Sequence, residues 1–194
     1  MRKVIVVNNV TLDGVMQSPG SPDEDRRGGF EHGGWAAPYG DAVMMEKMAE
    51  GMNAPGTILF GRITYEAMAA FWPHQPDNPF TRVLNAKTKY VASRTLEEPL
   101  PWQNSALLEG DAVEAVARLR EQPGDDIALL GSGELARALM RRGLIDEYVL
   151  SIHPLVLGSG AKLFGDDGTR APLRLVDSVT TTTGVVIGTY RPAA

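Results

Sequence analysis

The chain has 194 residues, the length of one ordinary domain, with 19 Lys and Arg against 24 Asp and Glu and a formal net charge of -5. Its 43% apolar residues are enough for a buried core, which excludes disorder, and its acidic balance excludes a nucleic-acid surface as its main business. It has no cysteine, so disulfides, thiolate metal sites, iron–sulfur clusters and a cysteine nucleophile are excluded together.

The opening MRKVIVVNNV carries too short an apolar stretch for a signal peptide. No later run approaches the roughly 18 apolar residues that cross a bilayer. The expectation is a single soluble, cytoplasmic domain over residues 1–194, with neither membrane nor nucleic acid as partner.

Val4 to Val7 reads as a buried strand, rich in β-branched residues. From Asp13 to Gly40 seven glycines and three prolines rule out a regular element, and loops this long are usually lids or binding loops. A helix follows from Asp41 to Met52, with Asp41 as its N-cap. Thr57 to Phe60 is a strand, Ile63 to Phe71 a helix, and Trp72-Pro73 closes it. Lys89 to Ala92 and Ala106 to Leu108 are strands, and Ala112 to Glu121 carries a helical apolar stripe. Ile127 to Leu130 is a strand, and Glu134 to Arg142 a helix. Strand-then-helix order implies parallel pairing with helices on both faces. Beyond Ile145 the pattern changes: Tyr148 to Ile152, Leu173 to Val179 and Val185 to Tyr190 are strands, the last two joined through Thr180–Thr183 and Gly184. The fold class is α/β: about eight strands in one mostly parallel mixed sheet, finished by an antiparallel edge.

Ligands of such sheets bind at strand carboxyl ends, near helix N-termini. Three strand ends suit anions. Gly61, Arg62 and Thr64 open a helix directly after a strand. Ser93 and Arg94 follow another strand with a hydroxyl and a guanidinium. Gly131-Ser132-Gly133-Glu134-Leu135-Ala136 matches G-x-G-x-x-[GA]. Three anion-friendly ends point to a dinucleotide, and arginine in place of an acid suits the 2′-phosphate of NADP. Each piece also has a plain reading: a glycine kept for packing, or Ser93-Arg94 as a solvated turn. A standard Rossmann dehydrogenase is disfavoured, because the glycines do not follow the first strand. The histidines lack ligand spacing and no G-x-S-x-G elbow occurs, so no metal site and no hydrolase centre is expected.

Taken together, the motifs resemble the dihydrofolate reductase-like superfamily, and within it the RibD C-terminal domain family of riboflavin-biosynthesis reductases. They are Thr11-Leu12-Asp13-Gly14, Gly61-Arg62-Ile63-Thr64-Tyr65-Glu66, Lys89 to Leu96, Leu130 to Gly133, and Leu144 to Tyr148 leading to His153 to Gly160. The likeness runs in order from about residue 3 to 191.

The resemblance implies a three-layer fold that binds NADPH across its strand ends. Gly61, Arg62 and Thr64 would cradle phosphates, Ser93 and Arg94 would meet the 2′-phosphate, and Gly131, Ser132, Gly133, Glu134 and Leu135 would line the pyrophosphate and nicotinamide ribose. Asp13 and Gly14 would cover the nicotinamide as a mobile lid. Folate reductases grip the pterin with an acid on the first helix. Asp41 and Glu46 are the candidates here, and an ungapped count puts Met45 near that position. Asp41 and Asp13 are thus the candidate catalytic residues, while Asp41, Met45, Phe71, Trp72 and His153 form the candidate substrate side. Asp41 reads equally as a helix cap, Met44, Met48 and Met52 as core or ring wall, and His153 as a satisfied buried histidine. The implied activity is reduction of a phosphorylated ribosylaminouracil. A pterin or another small molecule is the alternative substrate, and a non-catalytic NADP-binding protein the alternative class. A heterocyclic substrate and a homodimer are the implied partners.

Overall fold

In a computed structural model, residues 1–165 and 169–193 are described. The elements are β1 (Val4–Thr11), α1 (Ala42–Asn53), β2 (Thr57–Gly61), α2 (Arg62–Phe71), α3 (Pro79–Ala86), β3 (Lys89–Ala92), β4 (Ser105–Leu107), α4 (Ala112–Glu121), β5 (Ile127–Leu130), α5 (Gly133–Arg141), β6 (Glu147–His153), β7 (Leu173–Thr180) and β8 (Val186–Pro192). They form the expected eight-stranded mixed sheet, ordered β4-β3-β2-β5-β1-β6-β8-β7. Strands β1 to β6 run parallel, and β8 is antiparallel to both β6 and β7.

Two elements depart from the sequence reading. The polar pair Asn8-Asn9 ends the apolar run, yet the ladder with β6 continues to Thr11 opposite His153. Helix α3 has too few residues for a clear stripe, but its start is written chemically. Asn78 accepts from the amides of Phe80 and Thr81, Thr81 returns a bond to the Asn78 amide, and Pro79 fills the first helical position.

Handedness places the layers. The crossovers from β1 to β2 and from β2 to β3 move along the sheet one way; those from β4 to β5 and from β5 to β6 move the other way. Right-handed crossovers of opposite sense put their helices on opposite faces. Accordingly α4 and α5 pack Val116, Leu119, Leu135 and Leu139 against Val4, Val6, Leu129 and Leu150. On the other face Ile58, Phe60 and Val91 meet Tyr65 and Ala69 of α2, Leu84 of α3 and the buried Trp102. Helix α1 buries only Met44, against Val185 and Ile187. The central strands are therefore covered on one side and partly open on the other.

The long Gly/Pro segment is ordered by partners far along the chain. Leu12 and Met16 amides donate to Leu155 and Ala161, and the Leu163 amide donates to Gly14. Val15, Phe30 and Trp35 make a small core of their own, and Trp35 donates its indole N–H to Gln17 at 2.7 Å. No helix among the described residues is long and apolar enough to cross a membrane.

Lys89 is wholly buried. Its ammonium donates to the carbonyls of Lys87, Gln103 and Asn85 at 2.8, 3.1 and 3.3 Å, and sits 4.5 Å from the Trp102 ring centroid. Two of those carbonyls end α3, where cations are favoured. Burial pushes the amine down to about 8, so it remains charged at neutral pH. Lys89→Met is expected to destabilise the fold by about 2 kcal/mol despite its apolar side chain, because three inward carbonyls lose their donor. An unchanged denaturant midpoint at pH 7 would contradict this role.

Candidate functional site

The alternation of β1 makes the site. Val4, Val6 and Val10 are buried on the closed face, while Ile5, Val7 and Asn9 are half-buried on the open one. A cleft of roughly 1590 Å³ occupies that open face. It is floored by Ile5, Val7 and Asn9 of β1, Ala128 and Leu130 of β5, and Val149, Ser151 and His153 of β6. The strand ends at Gly61, Ala92, Leu130 and His153 all reach it.

Its centre is a knot between two strand-to-helix turns. Ser132 Oγ accepts from the Gly61 amide at 2.8 Å and lies 3.0 Å from Thr64 Oγ1, which also accepts from the Ser132 amide at 3.1 Å. A Cβ on Gly61 would stand 3.3 Å from Ser132, and one on Gly131 would stand 3.0 Å from Thr64. Gly131 also has φ +56°, and Asn8 Nδ2 donates to its carbonyl at 3.2 Å. A side chain at either position would crowd the contact between the turns.

The knot aims two helix N-termini into the cleft. Helices α1, α3 and α4 are capped by Asp41, Asn78 and Asp111. Helices α2 and α5 have no side-chain cap. The first bond of α5 runs from the Ala136 amide to the Ser132 carbonyl, which leaves the Gly133, Glu134 and Leu135 amides ahead of it. Arg62, beside them, is paired with Glu66 at 2.9 Å. Across the cleft mouth, Ser93 Oγ accepts from the Thr95 and Leu96 amides, so its own O–H is free to donate. Arg94 is exposed and makes no hydrogen bond or ion pair among the described residues.

Gly61, Arg62, Thr64, Ser93, Arg94 and residues 131–135 thus share one cleft, as do Met45, Trp72 and His153. Asp13, Gly14, Asp41 and Phe71 do not line it. Asp13 accepts from Thr11 Oγ1 and from the Leu157 and Gly158 amides, and these bonds, the Thr11 bond foremost, hold its carboxyl at about 2 against the opposing cost of desolvation. It pins the Gly/Pro segment instead of covering the cleft; Met16 to Gly20 form that wall. Asp41 caps α1 through Met44 and takes the Thr182 amide and hydroxyl, both at 2.6 Å, which hold its carboxyl below the usual range. Phe71 is 53% exposed. Met44, Met45, Met48 and Met52 all face the cleft, and only Met44 is buried. Among the described residues no three acids or histidines cluster to hold a metal.

Sequence reasoning passed over Asn9. Its Oδ1 lies 3.1 Å from His153 Nε2, and its only sequence signal is a polar residue in step with Ile5 and Val7 on a central strand. His153 is 1% exposed, with Trp35 and Tyr39 edge-on to its ring, and burial pushes it down to about 4.

The family model described as RibD C-terminal domain matches residues 2–187. The Bacillus subtilis (strain 168) protein YyaP, described as uncharacterized, is 37% identical over 140 residues, covering 70% of this chain and 73% of its own. Among solved structures, a pyrimidine reductase-like protein from Corynebacterium diphtheriae superposes with TM-score 0.69 at 13% identity, covering all of this chain and 92% of that one. Dihydrofolate reductase from Enterococcus faecalis, complexed with NADP(H) and RAB-propyl, superposes with TM-score 0.61 at 13% identity over 99% and 97% of the two chains. At this identity the structural likeness establishes the fold.

Gly131→Ala is expected to destabilise by about 1–2 kcal/mol, from positive φ and the clash with Thr64, measured as a lowered denaturant midpoint. His153 sets a pH dependence. The unfolded chain takes up its proton near 6.5 and the folded one near 4. Stability from this group is therefore level above 6.5 and falls as pH drops to 4, by up to about 3 kcal/mol. His153→Gln should flatten that part of the curve; parallel curves for wild type and variant would refute it.

Proposed function

The chain belongs to the RibD C-terminal domain family, and on that premise we propose that it is an NADPH-dependent reductase, most like 5-amino-6-(5-phosphoribosylamino)uracil reductase of riboflavin biosynthesis. The observation that carries the reading is the pair of uncapped helix N-termini tied together at the cleft, with an unpartnered Arg94 in the same lining. Helix starts left open by every side chain are suited to phosphate oxygens. A guanidinium with no internal partner is suited to one phosphate more.

In this reading the amides at the start of α2 and α5, with Thr64, hold the pyrophosphate. Glu134 disfavours a second anion beside it and instead accepts from ribose hydroxyls. Ser93 and Arg94 take the 2′-phosphate. When bound, NADPH supplies a hydride for an electrophilic ring or ribosyl carbon. The protein contributes orientation along the sheet face and a dry wall from Met45, Met48, Met52 and Trp72. Neither Asp13 nor Asp41 serves as the proton donor, since both carboxylates are committed to hydrogen bonds away from the cleft. The cleft side of α1 offers methionines where a pterin-gripping acid would stand. That favours an uncharged ring over a protonated pterin.

A cytoplasmic location and a homodimer belong to the same proposal. Leu175 and Val176, exposed on the edge strand β7, are the surface a second copy would cover.

Thermal melts with NADPH and NADH test the cofactor. NADPH is expected to raise the melting temperature more. Arg94→Ala should weaken NADPH by about tenfold and leave NADH nearly unchanged. Equal losses for both cofactors would remove Arg94 from the 2′-phosphate.

A further inference from the structure

Asn9 stands on the cleft-facing row of β1, level with Ser151 of β6, and His153 pairs with Thr11 one pleat further on. The Asn9 amide oxygen meets His153 Nε2. The amide nitrogen, on the other branch of the same planar group, makes no hydrogen bond among the described residues. A proton on Nδ1 would be an orphaned buried N–H, so Nε2 carries the ring proton and donates it to the amide oxygen. That Nδ1 is buried without a partner, and the low affinity of the ring for a second proton agrees with it.

The ring has little room to turn. Trp35 and Tyr39 meet it at 5.1 and 5.4 Å between centroids, at 88° and 79°. A side-chain amide on its own can present either edge. Here the fixed imidazole N–H selects the oxygen, and the NH₂ group is left for the cleft. The neighbouring wall is uncharged: Val7, Val149, Ser151 and Met44. Of the charged groups that line the cleft, Lys47 is paired with Glu50 and Arg27 with Asp25.

We propose that Asn9 is a substrate-binding, specificity-determining residue whose amide N–H donates to an uncharged acceptor of a planar heterocycle, a ring carbonyl oxygen or imine nitrogen, and that His153 is the positioning residue that fixes its orientation. This rests on the reductase reading and narrows it. A neutral donor rewards a carbonyl or imine edge and gives nothing to a ring edge that presents only N–H groups.

The probe is 6-aminouracil, a phosphate-free ring with carbonyl acceptors, titrated into the full-length protein with and without NADP⁺. Binding is measured by calorimetry in every protein and, where Asn9 is kept, also by the ¹⁵N–¹H resonances of its side chain. The wild-type NH₂ signals are expected to shift saturably. Asn9→Asp, which turns the donor into an acceptor, should weaken binding by about tenfold, and Asn9→Ala by less. His153→Leu should weaken it and move the free Asn9 signals, whereas His153→Gln, which keeps an N–H donor, should restore both. Equal binding of 6-aminouracil by wild type and Asn9→Asp, or none by wild type, overturns the proposal. NADPH affinity, read by cofactor fluorescence, is measured on the same proteins. Failure of the wild type to bind NADPH would sink the reductase reading alone, since the titration without cofactor still judges Asn9. Loss of NADPH affinity in the Asn9 variants would place the residue with the cofactor instead and overturn its assignment to substrate.

Discussion

The contact between the β2–α2 and β5–α5 turns is what the rest of the molecule's open face depends on. Two strands that are neighbours in the sheet send their chains to opposite faces, and their turns would ordinarily diverge. Ser132 holds them together through the Gly61 amide and the Thr64 hydroxyl. The absence of a side chain at Gly61 and Gly131 makes the approach sterically possible. Because the serine's bonding capacity is used between the turns, it does not cap its own helix, and the amides of α5 stay exposed to ligand. One arrangement thus fixes the sheet's switch point and leaves the positive helix ends unsatisfied.

The two halves of the cleft use different physics. The strand-end half is backbone-built: amides, a hydroxyl and one unpaired guanidinium around a rigid knot. The other half is built by side chains over a sheet face that α1 leaves partly bare, with flexible thioethers along one wall and the Asn9–His153 pair in the floor. A backbone site suits a constant partner, whereas a side-chain wall changes with each substitution. This division accounts for the ease with which the strand-end half reads from sequence and the difficulty of the half walled by side chains.

How much was legible follows the same line. Period-2 and period-3.6 patterns marked ten of the helices and strands to within one residue at each end, and Lys89–Ala92, Ala112–Glu121 and Ile127–Leu130 to the residue. The anion-friendly strand ends were visible because glycine and hydroxyl residues next to a strand have few other uses. What stayed hidden depends on distant partners. Asp41 gives a local cap signal, and its bonds to Thr182 come from 141 residues away. Asp13 looked like part of a lid because its partners, Leu157 and Gly158, are remote. Asn9 looked like the end of a strand because only the register with β6 shows that the strand continues.

That register has a consequence for synthesis. β1 leaves the ribosome well before β5 and β6, yet it lies between them, so neither of its hydrogen-bonding edges has a partner until residues 127–153 have been made. The Gly/Pro segment waits longer still, for residues 155–163. A nascent chain therefore carries an unpaired Val-rich strand while β2 to β4 and their helices are made, and β1 is among the last strands of the sheet to become native.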